Sequence, residues 1–214
     1  MIESLKDHTQ TDNKKKIRHQ KTYGIFKRFF DVIFSFLILI LLSPLFLFLS
    51  ILIKIGSRGP VIYSQQRIGK NMQPFTIYKF RTMFVNSEPD GPQLSYKDDP
   101  RVTKQGKWMR KFHFDELPQF WNVLIGDMSI VGPRPERQFF IDRIIERVPN
   151  YKMIGQVRPG LTSLGILNYG YASDTDKIVE RSRKELIYVS HISFPLDCKI
   201  LFFTLKTILK GKGV

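Results

Sequence analysis

The stretch LILILLSPLFLFLS, residues 37–50, lies in the one long apolar run of this 214-residue chain. From Val32 to Ile53 no residue is charged. At 1.5 Å per residue the run makes roughly 33 Å of helix, against a hydrocarbon core of about 30 Å. Length therefore argues for a span, with the two flanks on opposite sides of a bilayer. Ser43-Pro44 argues for a turn back. Pro44 has no N–H and clashes with the Ile40 carbonyl, at a cost of about 3 kcal/mol inside a straight helix. Ser43 offers a hydroxyl to a freed carbonyl where water is absent. Charge points the same way: Lys27 and Arg28 precede the run, and Lys54, Arg58, Arg67 and Lys70 follow it. A single span carries its basic bias on one side. A helix–break–helix that dips in and returns explains both features, with arms of about 17 Å, roughly half the bilayer. A proline-kinked span stays open on these residues alone.

On the N-terminal side, residues 1–22 are polar, with the basic run Lys14-Lys15-Lys16-Ile17-Arg18. They read as a mobile arm near anionic lipid or as a plain solvated tail. No cleaved signal is expected, because the apolar run starts late, is too long for an h-region and lacks a small-residue cleavage pattern. Lys+Arg 34 against Asp+Glu 19 gives a formal charge of +15, so anionic partners are expected: acidic headgroups, phosphorylated small molecules or nucleic acid. The single Cys198 excludes an intramolecular disulfide.

Beyond Ile55 the pattern changes. Val61-Ile62-Tyr63, then the polar Gln66–Asn71, then Phe75–Arg81 reads as a β-hairpin whose second strand puts Lys79 and Arg81 on one face. Residues 86–106 are rich in Asp, Pro, Gly and Ser and read as a loop able to move over a site. A helix is expected to start near Glu116-Leu117-Pro118, with Asp115 as N-cap and Leu117, Phe120, Trp121, Leu124 and Ile125 as its core face. Gly132-Pro133-Arg134-Pro135 is a stiff loop before a helix over 136–147, and Arg158-Pro159-Gly160 is another such loop. Leu196–Lys210 is amphipathic and suits either an interfacial or a core-packed helix.

Chemistry centres on Asp115-Glu116. The plain reading is a cap and a first-turn acid. The functional reading rests on Arg110, Lys111 and His113 just before the pair and on Arg134 and Arg158 on rigid loops after it. Cations keep a carboxylate ionised and can hold a diphosphate against it. Such a carboxylate serves as a nucleophile or as a metal ligand. The chain has no Walker A sequence, no G-x-G-x-x-G, no G-x-S-x-G and no Cys/His metal spacing. It also has no nucleic-acid-binding motif, so nucleic acid is not an expected partner.

The order KRFFD (27–31), SP (43–44), QQRIG (65–69), IYKFRTM (77–83), DPRVTKQGKWMR (99–110), DELPQFWNVLIGDMSIVGPRP (115–135), RPGLTS (158–163) and LDCKI (196–200) resembles the bacterial sugar transferase family, the monotopic phosphoglycosyl transferases. The resemblance implies a mixed α/β (α+β) domain with a β-hairpin and amphipathic interfacial helices on a re-entrant helix broken at Ser43-Pro44. It divides the chain into a basic arm (1–25), the re-entrant helix (26–56) and a cytoplasmic catalytic domain (57–214) at the bacterial inner membrane. It also implies transfer of a sugar 1-phosphate from a UDP-sugar or similar donor to polyprenyl (undecaprenyl) phosphate. The glycan so begun would be an exopolysaccharide, capsule, O-antigen or glycoprotein glycan.

By the same resemblance Asp115 is the nucleophile that carries the phosphosugar, and Glu116 binds Mg²⁺. Lys79, Arg81, Arg110, Arg134 and Arg158 are candidate phosphate contacts. Lys27, Arg28 and Asp31 form a membrane-entry box that anchors and pairs, with Asp197 as a partner. The expected partners are the nucleotide sugar, the lipid acceptor, membrane lipid and downstream glycosyltransferases. The chain departs from many relatives at LGILNYGYASD (164–174), a region that bears on sugar choice, and carries Phe114 where leucine is commoner. It is expected to be the compact catalytic unit, without the multi-span N-terminal region of larger relatives. The rival readings are a non-catalytic membrane-tethered scaffold and an anionic-polymer binder.

Overall fold

The computed structural model describes residues 23–89, 91–96, 98–170 and 174–211. Residues 1–22 of the proposed arm (1–25) and part of the 164–174 segment lie outside the described residues, whereas residues 23–25 are not arm but the first residues of a helix. Helix α1, Tyr23–Leu41, and helix α2, Ser43–Gly56, are bent by 61° where they meet. Pro44 does not sit inside a helix but in the first turn of α2, behind an N-cap at Leu42. There its missing N–H is one that no helix would use. The serine hydroxyl seen to satisfy a helix carbonyl in this segment is Ser50, which donates to Phe46 O at 2.7 Å. No single described helix is long and apolar enough to cross a membrane; the bent pair together meets that test.

Both flanks of the apolar run are fastened to the same folded body. At the α1 end, Arg28 donates through Nη1 to Val123 O (2.5 Å) and Nη2 to Leu124 O (2.9 Å), and Asp31 Oδ1 accepts from Ile130 N at 3.0 Å. Lys27 and the Tyr23 hydroxyl both engage Asp197, which also accepts from Tyr188 at 2.8 Å. The pairing expected for the entry box is thus made by Lys27, while Arg28 and Asp31 serve backbone groups. At the α2 end, Leu49 and Ile53 are buried with Phe80 and Met109. Arg81 donates to the carbonyls of Ser57 and Arg58, just past the helix.

Strands β1 (Ile62–Ile68) and β2 (Pro74–Phe80) form the expected antiparallel hairpin, with Tyr63 opposite Lys79. The first strand runs farther than its polar residues indicate, because Ser64, Gln65, Gln66 and Arg67 all join the ladder. Helix α3 covers Lys104–Lys111 and is capped by Thr103, whose Oγ1 accepts from Gly106 N. Helix α4 is Gln119–Ile125, α5 Gln138–Arg147, α6 Leu164–Tyr169, α7 Thr175–Ser190 and α8 Phe194–Leu209. A second sheet was not foreseen: β3 (Ser129–Val131) pairs in parallel with β4 (Gly160–Thr162). It ties the two stiff loops together, since Gly160 N donates to Pro133 O at 2.9 Å. A Cβ on Gly160 would run into the backbone of Gly132, so the approach of the loops requires glycine there.

Two helix expectations are corrected. Asp115 is not an N-cap: it lies in a 3₁₀ turn, Phe114–Glu116, and α4 starts later with Pro118 as its N-cap. Of the expected apolar stripe, Leu117 does pack against the Phe80 and Met109 cluster, but within α4 the stripe is not the buried face. Gln119, Asn122 and Val123 are buried, whereas Trp121 and Ile125 are about half exposed, at 50% and 51%. Asn122 makes the inward contact: its Oδ1 accepts from Tyr78 N (3.1 Å) and its Nδ2 donates to Thr76 O (2.7 Å), pinning α4 to β2. Helix α8 likewise buries Asp197 and Ile200 while exposing Phe202, Leu205 and Leu209. Helices with apolar outer faces need an apolar surround.

Candidate active site

His113, in the left-handed region at φ 58°, turns the chain at the end of α3. The following 3₁₀ turn then lays Asp115 and Glu116 against β2. Both carboxylates are nearly buried, at 9% and 7% exposure. Their surroundings differ. Glu116 Oε1 accepts from Lys79 Nζ at 2.6 Å and Arg134 Nη2 at 3.3 Å. Asp115 instead lines a cavity of about 550 Å³ whose walls include Lys79, Arg81, Arg110 and Arg134. That volume is in the range that encloses a small-molecule ligand.

The electrostatics separate the pair. Burial alone would raise the Glu116 carboxyl, but Lys79 and Arg134 outweigh it and hold Glu116 well below the usual carboxylate range. For Asp115 burial wins: helped by the Glu116 charge, it lifts the carboxyl above its ordinary value against Lys79, Arg110 and His113. Lys79 is lowered by burial and by Arg134, with Glu116 opposing. Glu116 is thus a fixed anion that organises cations, and Asp115 is the carboxylate presented to whatever enters the cavity.

The other sequence candidates are placed as follows. Arg110 lines the cavity, with Nε on Thr82 Oγ1 (2.9 Å) and Nη1 on Ser95 Oγ (2.5 Å). Arg81 also lines it, but the carbonyls of Ser57 and Arg58 take its two terminal nitrogens. Arg158 is not brought to Asp115. Its Nε donates to Gly126 O at 2.8 Å, beside the carbonyls that Arg28 holds, so both arginines serve the C-terminal end of α4. Ser43 and Pro44 stand at the bend, away from the charged cavity.

A model of the bacterial sugar transferase family matches residues 22–211. The chain belongs to the bacterial sugar transferase family. Within it, a protein of Aeromonas hydrophila named UDP-N-acetylgalactosamine-undecaprenyl-phosphate N-acetylgalactosaminephosphotransferase is 41% identical over 207 residues, covering 97% of this chain and 49% of its own length. A UDP-glucose:undecaprenyl-phosphate glucose-1-phosphate transferase of Klebsiella pneumoniae is 42% identical over 190 residues, 87% of this chain and 40% of its own. This chain therefore spans about half the length, or less, of these two relatives. An exopolysaccharide production protein of Rhizobium leguminosarum is 38% identical over 197 residues, 88% of this chain and 98% of its own.

Several charged residues of this sugar transferase cavity escaped the sequence reading: Arg67, Glu88, Glu136, Arg137 and Arg181. Arg181 and Arg67 both pair with Glu136, at 2.5 and 3.5 Å, and Arg137 pairs with Glu88 at 2.8 Å. Arg67 had a usable signal. Tyr63, Gln65 and Arg67 alternate along β1, and Tyr63 faces Lys79, so period two puts Arg67 on the cavity side. The partners just before α5, on α7 and on the loop carry no such local mark.

Proposed function

We propose that this protein is a phosphoglycosyl transferase, moving a sugar 1-phosphate from a nucleotide diphosphate sugar, of the UDP-sugar kind, to polyprenyl phosphate. The observation that carries the reading is the division of the acidic pair: Asp115 opens into a cationic cavity while Glu116 is locked in ion pairs beside it. Two relatives whose names state undecaprenyl-phosphate acceptors and UDP-sugars support it.

In the first step an Asp115 carboxylate oxygen attacks the phosphorus that bears the sugar. The bond to the bridging oxygen breaks, nucleoside monophosphate leaves, and an aspartyl phosphosugar forms. In the second step an oxygen of the lipid phosphate attacks the same phosphorus and Asp115 departs ionised, leaving a lipid diphosphate sugar. Splitting the transfer means that donor and acceptor need not be bound together. Lys79, Arg110 and Arg134 offset the repulsion between carboxylate and phosphate.

The donor set also fits Mg²⁺. Glu116, next to the Asp115 nucleophile, is a hard oxygen ligand, and no group of three or more metal-ligating side chains occurs among the described residues. Mg²⁺ commonly takes one or two carboxylates and completes its shell with water and substrate phosphate, so Glu116 suits an ion shared with the diphosphate. When bound it would neutralise charge developing on the phosphate oxygens.

The bent α1–α2 pair is read as a re-entrant hairpin, placing the protein on the cytoplasmic face of the bacterial inner membrane. Attachment of both its flanks to one body supports this over a crossing. The site would then lie at headgroup depth, within reach of a lipid phosphate, and begin glycan assembly ahead of downstream glycosyltransferases. The deciding assay is the released nucleotide. Purified protein with Mg²⁺, undecaprenyl phosphate and a panel of UDP-sugars is expected to release UMP, and Asp115→Asn to release none. Release of UDP would overturn the mechanism, and glycan assembly sustained by Asp115→Asn would favour a scaffold.

A further inference from the structure

Arg137 stands apart from the other ion-paired cations of the cavity in what holds it. Lys79 and Arg134 are tied to Glu116, in the turn before α4, and Arg67 and Arg181 to Glu136, a residue 4% exposed. Each of those pairs has a member fixed in a regular element or turn: Lys79 on β2, Glu116 in the 3₁₀ turn, Arg67 on β1 and Arg181 on α7. Glu88, the partner of Arg137, comes from the irregular segment between the isolated Met83–Val102 bridge residues. The contact is also a weak form of its kind. One nitrogen, Nη1, reaches both Glu88 oxygens, at 2.8 and 3.1 Å. It lacks the two-nitrogen fork that gives arginine–carboxylate pairs their strength. Glu88 can therefore leave Arg137 without dismantling a helix or strand, and both residues line the cavity that holds Asp115.

The reaction proposed above needs a cation of this kind. Cleavage of the diphosphate leaves a second phosphate, one bridging oxygen from the phosphorus under attack, and that group gains charge as it departs. Arg110, together with Lys79 and Arg134 that Glu116 partly offsets, serves the attacked phosphate. Arg67 continues the cationic wall, close enough to feel both Arg134 and Arg137. Past it, Arg137 is held by an anion on a loop. We infer that Arg137 takes the phosphate of the departing nucleoside monophosphate, and that Glu88 fills this place as an internal anion in the free protein. The inference rests on the nucleotide-donor reading and names the leaving-group subsite of that cavity.

Substitutions at the two partners have opposite expected signs, which a merely structural ion pair would not give. Full-length protein in detergent with Mg²⁺ is titrated calorimetrically with UMP and, as a base-free probe, with inorganic pyrophosphate. Arg137→Ala is expected to weaken both about 10- to 100-fold, the worth of a charge-assisted contact. Glu88→Gln is expected to tighten both about 3- to 10-fold, and that gain to vanish in the double variant. Weaker binding in Glu88→Gln, or unchanged binding in Arg137→Ala, overturns the inference while leaving the donor reading intact. Wild-type protein that binds neither probe overturns both. In a two-step transfer the kcat/KM for polyprenyl phosphate should not move in Arg137→Ala. A lowered acceptor kcat/KM with unaltered UMP binding would assign Arg137 to the lipid phosphate and overturn the inference.

Discussion

Glu185, on α7, is 2% exposed and accepts from Ser163 Oγ at 2.6 Å, while its Oε2 is buried without a hydrogen-bond partner. Burial raises its carboxyl from 4.5 to about 7, against Ser163, Arg181 and the backbone amides of Arg134 and Gly165. A folded-state pKa above the unfolded one contributes stability that is fully present below the unfolded value and lost as pH rises through the folded one. Here the window is 4.5 to about 7. At 1.36 kcal/mol per pKa unit, the loss between about pH 4.5 and 8.5 is about 3 kcal/mol. Glu185→Gln keeps the shape and removes the titration. Its amide nitrogen lands where Oε2 has no partner, so a constant offset is expected, but only the pH dependence of the difference matters. Thermal unfolding of both proteins in the same detergent is compared across the pH range. The wild type should lose about 6 to 12 °C relative to the variant between the two ends, the equivalent of about 3 kcal/mol for a chain of this size. Two curves that stay parallel across the whole range would refute the claim that burial raises Glu185.

Three further outcomes follow from the site and its supports. The proposed aspartyl step requires ionised Asp115, so nucleotide release is expected to fall off on the acid side at a higher pH than an unperturbed aspartate would give. Lys79→Met removes a cation that lowers Asp115 and should move that limb to higher pH, read from the pH–rate profile. Asp197→Ala strands Lys27 and the Tyr23 hydroxyl and leaves the Tyr188 hydroxyl only Val131 O, at 3.3 Å. It should cost about 3–5 kcal/mol and expose the start of α1 to protease, seen as faster cleavage near Tyr23. Gly160→Ala forces a Cβ against Gly132 and should shift the loop that carries Arg134. A loss of about 1–3 kcal/mol with a larger relative loss of activity is expected, measured by unfolding and by nucleotide release.

The sequence alone determined what local rules govern. A helix cannot run straight through Pro44 without loss, so the bend at Ser43-Pro44 could be read from covalent geometry and from basic residues on both flanks. The hairpin followed from period two, and Asp115-Glu116 from a motif run whose family is now shown. The outward apolar face of α4 was misread because periodicity finds a stripe without saying whether core or solvent lies behind it. Asn122, a polar residue that pins α4 to β2, reversed the answer.

Only the tertiary structure decided which charges meet. Glu116 lies 37 residues from Lys79 and 18 from Arg134, and no local spacing brings those three together. Packing of β2, the 3₁₀ turn and the Gly132–Pro135 loop gives both cations to Glu116 and leaves Asp115 facing the cavity. The same packing carries Arg158 to the end of α4 and brings in Arg137 with Glu88. Which of two adjacent carboxylates is held in ion pairs and which faces the cavity depends on burial and on neighbours distant in sequence. Both are properties of the folded chain.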